Sequence, residues 1–242
     1  MRDRQAPAWL TEWEYAHRGR HGAGVPENSL QAARLAIAAG MGIECDIQRS
    51  ADDHPMVFHD WDLKRLIGRS ETTESLTKDA LEGLHYLGSD ERIASLADLL
   101  GLVAGQVPIL IEIKSKRGYD VARSCAAVRD ALVPYGGDHA VMSFDPRVAR
   151  WFRRNSPHTT AGLVMREDEH GSTRKAWQRQ LALAIAKPDF LAYHIAALPS
   201  PWVARLRAKG LPILTWTVNS TLMRLQGLSH ADALIVEGAG LA

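Results

Sequence analysis

The sequence predicts a single α/β barrel, and three observations carry that expectation. Its 242 residues are close to the roughly 250 that an eight-fold barrel takes. Short β-branched runs alternate with helical patterns along the chain, which is the order in which parallel sheets are built. Carboxylates and histidines collect at the ends of those runs, where barrel enzymes carry their chemistry.

Eight runs read as strands: residues 14–17, 42–48, 108–113, 140–144, 160–164, 190–193, 212–218 and 233–236. Between them, residues 29–39, 96–104, 120–133 and 201–209 place apolar side chains at spacings of three and four, which gives each helix one buried stripe. Residues 60–95 break the rhythm. The stretch is polar, holds Gly68, Gly83 and Gly88, and reads as a small insertion within one domain spanning residues 1–242. The chain ends six residues after the last strand, short of an eighth helix. Either one closing helix is missing or residues 8–13 take its place.

With 46% hydrophobic and 24% charged residues, the chain falls in the ordinary range of globular proteins and away from disordered or fibrous classes. Lysine plus arginine, 29, nearly balance aspartate plus glutamate, 28, so no global field favours nucleic acid or a membrane surface. An anionic ligand must be captured locally. Residues 1–9 carry charges and a proline without an apolar run, and no segment approaches the ~20 apolar residues of a membrane span. Cys45 and Cys125 lie far apart, in a strand and a helix pattern, and do not suggest a disulfide framework. The expectation is a cytoplasmic protein without stable membrane insertion; the sequence gives no reading of its oligomeric state.

In Ile43-Glu44-Cys45-Asp46-Ile47 the strand period of two points Glu44 and Asp46 to one side and Cys45 to the other. Ile111-Glu112-Ile113-Lys114 repeats the device with a carboxylate and an ammonium. Three converging carboxylates without a cation would repel, whereas a bound Mg²⁺ or Ca²⁺ prefers such oxygen ligands. For Glu44 and Asp46 alone, a salt-bridged pair at a strand end is the competing reading. Glu112 sits in an otherwise apolar strand, where a charge must be paired or ligate metal.

His17 ends the first run and His59 ends the apolar stretch Met56-Val57-Phe58. Two histidines at neighbouring strand ends can supply an acid and a base near neutral pH. Arg18 offers a planar fork for phosphate and Lys114 a point charge, with a surface or structural role as the competing reading of Arg18. In Pro26-Glu27-Asn28-Ser29, Asn28 or Ser29 caps the following helix, and Glu27 and Asn28 can brace the metal ligands or His17 from behind. Trp216, in Trp216-Thr217-Val218-Asn219, offers an apolar wall or core packing.

Taken together, His17-Arg18-Gly19, Pro26-Glu27-Asn28-Ser29, Glu44-x-Asp46, His59-Asp60, Glu112-x-Lys114, Ser143-Phe144-Asp145 and Trp216-Thr217-Val218-Asn219 resemble the glycerophosphodiester phosphodiesterase family in order and spacing. The resemblance covers nearly the whole chain. It implies a TIM (β/α)8 barrel with a small insertion after the second strand region, where residues 60–95 fall. It also implies one divalent metal ion, Mg²⁺ or Ca²⁺, and hydrolysis of a small-molecule glycerophosphodiester to glycerol 3-phosphate and an alcohol. The matching positions are His17 and His59 as the acid/base pair, Glu44, Asp46 and Glu112 as metal ligands, Arg18 and Lys114 as phosphate contacts, and Trp216 as substrate wall.

Two departures bear on substrate fit. The family's last strand commonly ends in Thr-Asp, replaced here by Val236-Glu237, and the segment after His59 keeps Asp62, Leu63 and Arg65 but lacks the usual Thr and Gly-rich continuation. Two rivals stand beside this reading: a lysophospholipase D or cyclising phosphodiesterase acting on lysophospholipids, and a non-catalytic barrel that binds a phosphorylated metabolite. An apolar rim of Leu63, Leu66, Ile67 and Tyr86 on the insertion would favour a lipid substrate, with local packing as its competing reading.

Overall fold

The structure, a computed structural model, describes residues 5–241. Contacts divide the chain into two compact units. One is Ala16–Asp138; the other joins His139 onward to the N-terminal residues through Tyr15. Residues 1–4 of the N-terminal stretch read as lacking an apolar run, and the final residue, lie outside the described residues. Strand β1 (Tyr15–Ala16) spans the sequence boundary between the units and is shorter than the expected 14–17.

In the unit Ala16–Asp138, helix α1 (Leu30–Ala38) starts at Ser29, whose hydroxyl accepts from the Ala32 N–H as an N-cap. Its buried face is made of Ala32, Ala33 and Ala36. Small side chains let other backbone come close: Gly19 has φ +77°, and a Cβ there would stand 2.8 Å from Ala32. Strand β2 (Gly42–Arg49) is buried along nearly its whole length, as in a parallel sheet covered on both faces. A short strand β3 (Pro55–Val57) folds back antiparallel on β2, pairing Ile47 with Val57. Three residues are too few for an alternation to show, and β3 was not among the expected strands.

The stretch 60–95 then forms helix α2 (Lys64–Ile67), a 3-10 turn Thr73–Ser75, helix α3 (Lys78–Glu82) and a bridge between His85 and Arg92. Its polar composition conceals an apolar core. Leu63, Ile67, Leu81, Tyr86 and Ile93 pack with Met56 and Phe58, with Leu66 against the cluster. Helix α4 (Leu96–Val103) opens with a reciprocal cap between Ser95 and Asp98. Strand β4 (Ile109–Ile113) pairs parallel to β2 and leads to α5 (Val121–Leu132), capped by Asp120.

The other unit repeats strand and helix: β5 (His139–Ser143), α6 (Pro146–Asn155), β6 (Thr160–Met165), α7 (Ala176–Ala186), β7 (Phe190–His194), α8 (Pro201–Ala208), β8 (Ile213–Val218), α9 (Thr221–His230) and β9 (Ala233–Val236). Each of β5 to β8 pairs parallel with the next. At Gly162 the missing Cβ leaves room for the Phe190 ring of the neighbouring strand. Residues 8–13, considered as a substitute for a closing helix, hold a 3-10 turn Ala8–Thr11 that buries Leu10. The N-terminal residues are tied in by Glu14, which accepts from Arg224 of α9 at 2.9 and 2.5 Å. Among the described residues no helix is long and apolar enough to cross a membrane.

Candidate active site

Strand register builds the centre of the site. The parallel pairing of β2 and β4 sets Asp46 opposite Glu112, and the period of two brings Glu44 to the same face as Asp46. All three carboxylates are buried, and one oxygen from each lies within 4.8 Å of the others. Lys114 places its Nζ 3.0 Å from Asp46 Oδ1 and 2.9 Å from Glu112 Oε1. Arg18 Nε lies 3.1 Å from Asp46 Oδ2, and the Arg18 backbone N–H donates to Glu44 Oε2 at 3.1 Å.

The carboxylates do not share these cations evenly. Burial opposes ionisation of Asp46, yet Lys114 and Arg18 hold it well below the usual carboxylate range. Burial and the neighbouring Asp46 charge push Glu44 up to about 8. Glu44 is therefore the carboxylate of the cluster most disposed to take up a proton unless a further cation joins. Three hard oxygen donors facing one point, one of them short of positive charge, fit a divalent cation.

Both histidines act on this centre. His17 follows β1 directly, with Nε2 3.9 Å from Glu44 Oε2. His59 lies two residues beyond β3, its Nδ1 2.7 Å from Asp60 Oδ1. Both rings contribute to the field that keeps Asp46 ionised. Asn28 braces Asp46 directly: its Nδ2 donates to Asp46 Oδ2 at 3.0 Å. Glu27 instead accepts from Arg18 Nη1 at 2.7 Å and so acts on the cluster through Arg18. A second acidic group, Glu27 with His59 and Asp60, is close enough to hold an ion, but the Arg65 guanidinium occupies it.

Arg18 and Lys114, expected as phosphate contacts, form ion pairs with the carboxylates and so place a cationic edge on the same cluster. Trp216 belongs to the other unit. It is half-buried, with Nε1 donating to the Ala192 carbonyl at 3.2 Å and the ring against Phe144 and His194 at 5.4 and 4.9 Å. Ser143 accepts from the Asp145 N–H at 3.1 Å, and Asp145 caps α6, so both have local structural duties.

Gln48 escaped sequence reasoning. Buried on β2, it donates from Nε2 to the carbonyl of His59 at 3.0 Å and to that of Asp60, while its Oε1 accepts from Thr73. The signal was available, because Glu44, Asp46 and Gln48 follow one another at the strand period. Arg65 was noted only as part of the motif, and its reach to Asp60 and Glu27 depends on the fold of the insertion.

Comparison with known proteins supplies the family and the fold. Residues 17–240 match the glycerophosphoryl diester phosphodiesterase family. A glycerophosphodiester phosphodiesterase of Caldanaerobacter subterraneus subsp. tengcongensis is 26% identical over 218 residues, covering 84% of each chain. Glycerophosphodiester phosphodiesterase 1 of Bos taurus is 25% identical over 239 residues, covering 85% of this chain and 71% of its own. Among solved structures, an Oleispira antarctica phosphodiesterase in complex with the product sn-glycerol-3-phosphate superposes with a TM-score of 0.81 at 22% identity, over 93% of this chain and 92% of that one. The glycerophosphodiester phosphodiesterase of Thermotoga maritima gives a TM-score of 0.74 at 26% identity, covering 92% of both chains. These likenesses assign the fold as a TIM barrel. The match over residues 17–240 places the chain in the glycerophosphoryl diester phosphodiesterase family.

Proposed function

We propose that the chain hydrolyses glycerophosphodiesters to glycerol 3-phosphate and an alcohol, at a site made of Glu44, Asp46, Glu112, His17, His59, Arg18 and Lys114. The observation that carries this is the buried carboxylate cluster with His17 beside Glu44, His59 near enough to act on the charge of Asp46, and two cations at its edge. Glu44, Asp46 and Glu112 would hold a divalent ion, Mg²⁺ or Ca²⁺, which when bound supplies Lewis acidity toward the phosphoryl oxygens. Arg18 and Lys114 add fixed positive charge where negative charge gathers on the phosphate.

One histidine takes the proton of the attacking hydroxyl, either water or a neighbouring glycerol hydroxyl that forms a transient cyclic phosphate. The other gives a proton to the departing alkoxide. In the second case water opens the cyclic ester, so both routes end in the same phosphomonoester and alcohol. Asp60 beside His59 Nδ1 leaves Nε2 of that ring as the atom that exchanges a proton.

The lysophospholipid reading loses its proposed surface, because Leu63, Ile67 and Tyr86 are buried in the insertion core. Turnover of glycerophosphocholine followed by phosphorus NMR, with and without chelator, tests the proposal. Glycerol 3-phosphate should appear only with metal present. Chelator-insensitive turnover, or no turnover of any glycerophosphodiester, would sink it.

A further inference from the structure

Arg65 in α2 is about half exposed, 49%, yet its guanidinium grips two carboxylates at once. Nε donates to Asp60 Oδ2 at 2.6 Å and Nη2 to Asp60 Oδ1 at 2.8 Å. On its other edge Nη1 donates to Glu27 Oε2 at 2.8 Å and Nη2 to Glu27 Oε1 at 2.7 Å. Each carboxylate then constrains a different side chain of the site. Asp60 Oδ1 lies 2.7 Å from His59 Nδ1, and Glu27 Oε1 accepts from Arg18 Nη1 at 2.7 Å.

We infer that Arg65 is a positioning residue that sets His59 and Arg18 together, coupling the proton-moving arm of the site to its phosphate-binding arm. The inference rests on the roles proposed above for those two residues. A carboxylate held at one oxygen can still turn about its terminal bond. One held at both oxygens by a planar fork has its plane fixed, and the imidazole that it orients is fixed with it. Glu27 is held in the same way and presents Oε1 to Arg18 in one direction. Lysine has no fork and cannot hold two carboxylates bidentately.

Solvent screening at the half-exposed Arg65 discounts what these pairs add to stability. The insertion supplies the mount. Leu63 and Ile67, on either side of Arg65 in sequence, are buried in the insertion core, and Gly68 closes α2 in the left-handed conformation. The apolar core of residues 60–95 thus has a function: it carries one guanidinium to the back of the site.

Steady-state kinetics of the metal-loaded enzyme on glycerophosphocholine tests this with Asp60→Asn, Glu27→Gln, Arg65→Gln and Arg65→Lys. Asp60→Asn should lower kcat, Glu27→Gln should raise KM, and Arg65→Gln should do both, each on the order of 10–100-fold, as outer partners of functional residues do. Arg65→Lys should recover at most one of the two effects. In the double variant Asp60→Asn/Arg65→Gln, kcat should fall no more than about twofold below that of Asp60→Asn, because residues acting through one another are not additive. A folded Arg65→Gln enzyme with unchanged kcat and KM, or fully additive losses in the double variant, overturns the inference. The Nδ1 proton of His59, followed by ¹H–¹⁵N NMR, gives a reading that does not need turnover. It should shift or broaden in Arg65→Gln, and an unaltered signal overturns the coupling even if the wild type cleaves no glycerophosphodiester and the activity reading fails by itself.

Discussion

Asn28 holds Asp46 at two points: its Nδ2 donates to the carboxylate Oδ2 at 3.0 Å, and its Oδ1 accepts from the Asp46 backbone N–H at 3.2 Å. One amide therefore fixes both the strand position of a metal-ligand candidate and the direction of its carboxylate. Asn28 has φ +57°, a left-handed conformation that asparagine adopts more readily than most residues.

Loss of this grip should weaken metal binding. Asn28→Ala is expected to lower affinity for Mg²⁺ or Ca²⁺ by about 10–100-fold, the usual effect of removing an outer partner of a ligand. Asn28→Gly separates the causes, because glycine keeps the left-handed backbone at no steric cost. Equal losses by calorimetry in both variants assign the effect to the hydrogen bonds; wild-type affinity in Asn28→Gly would remove them from the account.

The upward shift of Glu44 predicts a pH dependence with a definite sign. Its value in the folded chain, about 8, lies above the ordinary 4.5. The metal-free protein is therefore favoured in its protonated form, fully below about pH 4, and loses that stability as pH rises through 8. Metal takes the place of the proton, so affinity should rise with pH and level off above about 8. Calorimetry at pH 7 in buffers of different ionisation enthalpy should show about one proton released per ion bound. Affinity independent of pH between 6 and 8 would falsify the displacement.

Removing either histidine should leave the fold and lower turnover. Proton transfer contributes about 10²–10⁴-fold, so His17→Ala and His59→Ala should each raise the barrier by about 3–5 kcal/mol. The metal sites of both variants should still fill. Near-normal kcat in both, with metal bound, would end the acid/base assignment.

The parts of this molecule legible in the sequence are those set by short-range periodicity. Glu44 and Asp46 share a face because a strand alternates, and Ser29 caps a helix because its side chain reaches the first turn. Pairings between separate segments were not legible. The register that puts Asp46 opposite Glu112, the choice of Lys114 and Arg18 to pair with carboxylates, and the reach of Arg65 to Glu27 all depend on tertiary placement. Strand β3 was too short to show an alternation, and the polar residues of 60–95 masked a core assembled from apolar positions without one period. Gly19 is intermediate: its place in the motif was visible, but the contact with Ala32 that demands it required the fold.

That core gives the last prediction. Leu81 of α3 is fully buried among the residues that include Met56 and Phe58, and Phe58 immediately precedes His59. Leu81→Ala should open a cavity costing about 2–5 kcal/mol, whereas the volume-conserving Leu81→Met should cost under about 1.5 kcal/mol. Urea denaturation measures both. Because the same packing supports His59 and the helix bearing Arg65, Leu81→Ala should also lower kcat when assayed well below its own unfolding midpoint. A fully active, destabilised Leu81→Ala enzyme would show that the core holds the insertion together without positioning the site.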